Sequence, residues 1–327
     1  MIMKRRNIIF LTVGAMLAVG CAFLGYRVVM QRTCNGTPTR IYLPEGSSYA
    51  ALMDTLAAHD LLRGRWTFDL KARLLGLKEH VHAGSYVVSG EMSELALIRK
   101  LRSGGQDPIR LTIGKFRLPE DLERYLASQL MHDDFHVAID SFYMVRPNTY
   151  EVYWTLSPEG FMRRMEKEWE VERGKWEVES GKCRNGLTPH DVIVMASIVE
   201  EESNHDAEKP LIASVYLNRL RKGMLLQADP TVKYAVGDFT LRRILNKHLA
   251  TESAYNTYLH PGLPPAPICL PSPSSVRAVL DAPESSYLYF CASPEFDGTH
   301  RFASTLNEHG RNAAEYRRAL DRRNIVR

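Results

Sequence analysis

Three consecutive carboxylates, Glu200-Glu201-Glu202, close a run that is otherwise apolar, Ala196-Ser-Ile-Val199. A carboxyl group held against apolar neighbours and near like charges has its pKa raised. A raised carboxyl is what a general acid needs near neutral pH. Protonating the leaving oxygen of a glycosidic bond is one reaction that needs such an acid. Helical spacing does not choose between the outer two. Glu200 shares a face with Ile193 and Ala196, and Glu202 shares one with Met195 and Ile198, so each has an apolar stripe behind it. The competing reading is a buried helix that surfaces and leaves its acids in water. Against it stands the macrodipole, which favours cations at a helix C-terminus.

The acids must be delivered by the segment that precedes them. Thr188 followed by Pro189 reads as an N-cap and a first-turn proline. Val192 to Val199 is apolar on nearly every face, which predicts a buried helix. Leu211 to Arg221 predicts an amphipathic helix, and Gly223 to Tyr234 follows it. Residues 253–268 hold four prolines and the run Tyr255-Asn-Thr-Tyr258, so regular structure is excluded there. Long irregular loops rich in aromatic and amide groups build binding walls. Tyr287-Leu-Tyr-Phe290 and His300-Arg-Phe302 extend the aromatic set. Sugars are held this way, with rings stacked on aromatic faces and hydroxyls bonded to amides.

The remainder of the 327 residues is enough for a further module. Lys4, Arg5 and Arg6 precede Asn7 to Tyr26, a stretch without a charged side chain and of the length of a membrane-spanning helix. The basic cluster predicts a cytoplasmic start, residues 1–6, an anchor over 7–28, and everything beyond on the outer side. A cleaved signal peptide and a lipoprotein signal at Ala18-Val-Gly-Cys21 are the weighed alternatives. From Arg40 a short strand and a Pro/Gly turn lead to Ser47 or Ser48 as a helix N-cap, a helical face at Leu52, Leu56 and Ala57 that Asp60-Leu-Leu62 closes, helices over 66–75 and 93–101, and a strand at 83–88. Residues 109–130 echo the first strand, turn and helix: Leu43, Leu52 and Leu56 fall on Ile113, Leu122 and Leu126. Pro158 to Lys182 predicts a long charged helix with Met162, Met165 and Trp169 on its packed stripe. The net charge of +4 is too small to argue for nucleic acid. No Cys-x-x-Cys and no His-Glu-x-x-His pattern occurs, so no metal or other cofactor is expected. Cys34, Cys183, Cys269 and Cys291 read as small apolar groups, with disulfides permitted outside the cell.

Taken together, ASIVEEES, LQADPTVKYA, AYNTYLHPGLPPAPI and YLYF…THRF resemble the YceG-like family, the MltG-type endolytic murein transglycosylases. The resemblance runs from about Ile41 to the end, and the N-terminal anchor and the strand-helix module match as well. It implies an α+β fold: a single transmembrane helix, a small LysM-like module over 29–108, a second strand-helix segment and helical linker over 109–186, and a mixed catalytic domain over 187–327. By the family pattern the first Glu after the apolar run, Glu200, is expected to be the catalytic acid. Glu202, Gln227, Asp229, Tyr255, Asn256, Thr257 and Tyr258 are expected in the substrate cleft. Ala266, Leu270 and Gly114-Lys115-Phe116 depart from the family's usual Gly, Asn and second Pro-Glu-Gly turn.

The chemistry the resemblance implies is non-hydrolytic cleavage of MurNAc-β-1,4-GlcNAc bonds in nascent peptidoglycan, leaving 1,6-anhydro-MurNAc ends and limiting strand length. One carboxyl group serves as acid and then as base. The expected partners are glycan strands, the inner membrane and peptidoglycan synthases. Two other classes stay open: a lysozyme-like hydrolase using Glu200 with Asp229, and a non-catalytic wall-binding scaffold.

Overall fold

The computed structural model describes residues 37–180, 186–241 and 243–323, together with 16, 19–20, 23, 25–26 and 31–33. Most of the expected anchor, Cys34 and Cys183 therefore lie outside the described residues. Within 7–28, Met16, Val19, Phe23 and Tyr26 are helical and exposed. Among the described residues no helix is long and apolar enough to cross a membrane.

The chain forms two compact units. The first comprises residues 1–111, 129–131 and 151–156, and the second the rest. The first unit runs β1 (Thr39–Leu43), α1 (Tyr49–Ala58), α2 (Arg65–Leu74), β2 (Gly84–Val88) and α3 (Glu94–Ser103). β1 and β2 pair antiparallel with Ile41 opposite Tyr86. Local signals place the ends. Ser48 and Ser93 accept from the amides of Ala51 and Ala96, and Gly104 ends α3 in the left-handed region at φ 67°. Ile41, Leu43, Leu52, Leu56, Phe68 and Tyr86 fill one core. Inside it Lys71 meets Glu94 at 2.6 Å, a buried ion pair tying α2 to α3.

β3 (Ile109–Ile113) and β4 (Asn148–Val152) form a second two-stranded sheet. Between them lie α4 (Pro119–Gln129) and the short α5 (Ile139–Phe142). Ile113, Leu122 and Leu126, the positions that echo the first module, are all buried. α6 (Pro158–Ser180) follows. Its packed line is Phe161, Met165, Trp169 and Trp176, with Met162 only partly buried. Trp169 and Trp176 meet edge to face at 5.3 Å, so these rings are core, as expected of that spacing.

The larger core of the second unit surrounds α7 (Pro189–Glu202). Thr188 and Asp191 form a capping box with Pro189 in the first turn. Val192 to Val199 are buried without a break. α8 (Lys209–Arg221) packs on α7, and both pack on α11 (Pro273–Leu280). The expected amphipathic character of α8 is not found: Ile212 through Arg219 are all buried. Its polar residues Asn218 and Arg219 point into protein, where loop carbonyls accept from them. α9 (Asp229–Val236) and α10 (Asn246–Leu249) precede an irregular stretch to residue 272, as the prolines require. The antiparallel pair β5 (Tyr289–Ala292) and β6 (His300–Ala303) and the terminal α12 (Leu306–Arg322) complete the unit. The fold is thus mixed α+β with three two-stranded sheets among the described residues.

Candidate active site

The three acids at the end of α7 have three different environments. Oε2 of Glu200 accepts from the hydroxyls of Ser272 and Ser275, each at 2.5 Å, and from Nζ of Lys209 at 3.3 Å. The Ser272 amide adds a fourth contact at 3.3 Å. Burial pushes this carboxyl up, but the two serines and the Lys209 ammonium outweigh it and hold the carboxyl below its ordinary value. Glu201 is bidentate to Arg117, at 3.1 and 2.9 Å, and meets Lys115 at 3.1 Å. These cations also answer the dipole objection, because three basic side chains gather where the acids end the helix.

Among the described residues Glu202 makes no ion pair, and the charge of Lys233 acts on it only as a minor lowering influence. Its Oε1 accepts from the Tyr216 hydroxyl at 2.5 Å. Burial raises its pKa, the Tyr216 hydrogen bond opposes this, and the charge of Asp229 raises it further, leaving the group at about 7. The same burial, with the carboxylate alongside, pushes the Tyr216 hydroxyl well up, so it stays a donor. Glu202 is therefore a carboxyl whose proton affinity burial raises towards neutrality, whereas that of Glu200 is lowered.

A cavity of about 280 Å³ opens beside Glu202. Its walls are Glu202 and Tyr216 with Arg219, Leu226, Gln227, Asp229, Tyr258, Tyr289, Phe290 and His309. Arg219 pins two wall segments by donating to the carbonyls of Leu225 and Leu226 on one side and Leu288 on the other. Gln227 takes a left-handed conformation, φ 54°, its amide donating to the Thr257 carbonyl and its side-chain oxygen accepting from Arg219. Asp229 opens α9 and accepts from the Tyr258 hydroxyl at 2.7 Å.

Of the residues expected from the sequence, Glu202, Gln227, Asp229 and Tyr258 line the cavity. Glu200 does not; it ties α7 to the starts of α8 and α11. Tyr255, Asn256 and Thr257 are not among the cavity's lining residues. Tyr255 packs on Tyr234 at 4.6 Å. Buried Asn256 donates to the carbonyls of Leu249 and Thr251 and accepts from the Tyr258 amide. Thr257 accepts from the Ala228 amide and meets Thr231 at 2.8 Å. These three shape the loop that presents Tyr258. Tyr216, Arg219 and His309 were not expected: the first two sit inside the stretch that reads as an amphipathic helix, and His309 lies in α12, beyond the last motif. Tyr289 and Phe290 belong to the aromatic run already noted. Among the described residues no group of three metal-binding side chains occurs.

The sequence model of the YceG-like family matches residues 41–315, most of the chain. The chain belongs to the YceG-like family. Among the similar YceG-like relatives is the "Endolytic murein transglycosylase" of Bacillus subtilis, 28% identical over 332 residues, covering 92% of this chain and 91% of the relative. The protein of the same name from Streptococcus pneumoniae is 24% identical over 358 residues, which is 94% of this chain and 64% of that longer relative. The crystal structure of a yceG-like protein from Listeria monocytogenes matches with a TM-score of 0.52 and 27% identity, over 85% of this chain and 99% of that one.

Proposed function

We propose that this member of the YceG-like family is an endolytic murein transglycosylase in which Glu202, and not Glu200, is the acid and base. The observation that carries the assignment is the contrast between the two carboxyls. Glu202 faces the cavity with its pKa raised to about 7, whereas Glu200 is held in its anionic form by two serines and a lysine. The sequence pattern pointed to Glu200; geometry favours the residue two places on.

The protonated Glu202 gives its proton to the oxygen linking MurNAc C1 to GlcNAc, and that C1–O bond breaks. The resulting carboxylate then takes the proton of the MurNAc C6 hydroxyl. O6 bonds to C1 and closes the 1,6-anhydro ring. No water is consumed, and the net change moves one proton from O6 to the leaving oxygen. Tyr216 donates to the carboxyl throughout and stabilises its anionic phase. Tyr258, held by Asp229, positions the sugars together with the Tyr289 and Phe290 side chains of the cavity wall. A lysozyme-like hydrolase would need a second carboxylate free to act; Asp229 lines the cavity but is bonded to Tyr258.

The deciding experiment is digestion of purified glycan strands by the chain and by Glu202→Gln and Glu200→Gln, with mass spectrometry of the new ends. Anhydro ends that vanish in Glu202→Gln and persist in Glu200→Gln are expected. Loss only in Glu200→Gln returns the role to that residue, and reducing ends make the enzyme a hydrolase.

The wider reading also belongs to this proposal. The basic cluster and uncharged stretch of residues 4–26 support a single-pass anchor in the inner membrane, with the active site on the outer face. The strand-helix-helix-strand order of the first unit supports a LysM-like, glycan-binding module. A tethered enzyme meets nascent strands near the peptidoglycan synthases before it meets mature wall.

A further inference from the structure

His309 lies in the first turns of α12 and lines the cavity. Its ring stacks on Tyr289, with centroids 5.4 Å apart and planes at 25°. The Arg219 guanidinium lies 5.2 Å from the centroid of the same Tyr289 ring. Nδ1 of His309 is buried and has no hydrogen-bond partner. Among the described residues no side-chain hydrogen bond is made by Nε2 either, and that nitrogen is not sealed off. Burial, and then the neighbouring Arg219 charge, lower the imidazole below its ordinary pKa.

A neutral imidazole carries one N–H and one lone pair. Placing the N–H on the sealed nitrogen would leave a dry, unpartnered donor, the costlier arrangement in protein interiors. The N–H is therefore on Nε2, the accessible edge. A single donor without a protein partner, on a ring clamped by an aromatic stack in the wall of the acid's cavity, is arranged for something that arrives from solution.

We infer that His309 is a substrate-binding residue that donates Nε2–H to an oxygen of the glycan bound beside Glu202. The substrate offers acceptors throughout, in its hydroxyls and acetamido carbonyls. The stack on Tyr289 fixes the ring plane, so the donor direction is set before substrate enters. This inference rests on the transglycosylase reading above.

The test uses the full-length chain and glycan strands of defined length. His309→Phe keeps the ring and the stack but has no donor, whereas His309→Gln returns an amide N–H near the place of Nε2. Expected for His309→Phe is a fall in kcat/KM of about tenfold, the effect of one lost hydrogen bond to substrate. Its melting temperature should match or exceed the parent's, because a carbon replaces the sealed nitrogen. His309→Gln should recover most of the loss. Parental kcat/KM in His309→Phe overturns the inference, as does an equal fall in both variants accompanied by lowered melting temperatures. A second measurement needs no His309 variant that folds perfectly. In Glu202→Gln, which leaves glycan uncut, the His309 Nε2 resonance should shift when strands are added, and an unmoved resonance overturns the inference. Glu202→Gln that still cuts strands defeats the parent reading instead, and is recognised separately by its anhydro ends.

Discussion

At the scale of single residues, the same side-chain type two positions apart has its proton affinity shifted in opposite directions because the surrounding groups differ. Glu202 has a carboxyl raised to about 7, so its protonated form survives near neutrality. The free-enzyme rate, kcat/KM, is expected to fall as pH rises through an apparent pKa near 7, and a pH profile measures this. Neighbours tune the limb in opposite directions. The Tyr216 hydrogen bond lowers the Glu202 pKa, so Tyr216→Phe should move the limb to higher pH. The charge of Glu201 raises it, so Glu201→Gln should move the limb to lower pH. A limb that ignores both variants belongs to another group. Stability follows the same signs. Glu202, raised in the fold, is a burden once ionised: the cost is absent below the unfolded carboxyl pKa and complete above about 7. Glu202→Gln should therefore melt higher than the parent at pH 8 and show little gain at pH about 4. Glu200 is lowered in the fold, so it stabilises above its unfolded pKa and loses that as pH falls through the folded one. Glu200→Gln should cost about 1–3 kcal/mol at neutral pH, since Lys209 and two serines lose an ionised acceptor. Thermal melts across pH would show that cost shrinking in acid.

At the scale of elements, the site depends on α7 ending where it does. Its start is set by the Thr188–Asp191 capping box, and its buried run leaves no freedom of rotation. Thr188→Ala should lower stability by about 1 kcal/mol while the activity of the folded protein persists, as denaturant titration beside a rate assay would show. The C-terminal end is held by Arg117 and Lys115 on Glu201 and by Lys209 on Glu200. The cap, the buried run and the irregular 253–268 loop were all legible in the sequence, because each is a local property of spacing or proline content. The character of α8 was not. Its Asn218 and Arg219 look like a solvent face, but loop carbonyls from residues 225–226 and 285–288 accept from them. Those partners are distant in sequence, and periodicity within the helix cannot report them.

At the scale of the whole molecule, the two units have separate cores, one around Leu52, Phe68 and Tyr86 and the other around α7. The cavity is walled wholly by residues of the second unit. Phe68→Ala, in the first core, should cost about 3–5 kcal/mol of that unit's stability. Turnover of short soluble glycan fragments should survive it, while retention on intact wall material falls; a sedimentation assay beside the rate assay separates the two. Removing residues 1–30 should leave the chemistry on soluble strands intact and weaken action in cells, and full complementation by the truncated chain would count against the anchored reading.

The linear sequence determined the family, the mixed α+β class, the buried helix that carries three acids, and the loop segments that return Gln227, Asp229 and Tyr258 to the cavity. Those follow from composition, local periodicity and an ordered set of motifs. What separates the environments of these acids was decided only by tertiary structure. On α7 the faces of Glu200 and Glu202 read alike, each backed by apolar residues. The distinction comes from what packs opposite: Ser272, Ser275 and Lys209 around one, Tyr216 and an open cavity around the other. A carboxyl group's proton affinity is set by charges and hydrogen bonds within a few ångströms in space, and those arrive from residues up to 75 positions away.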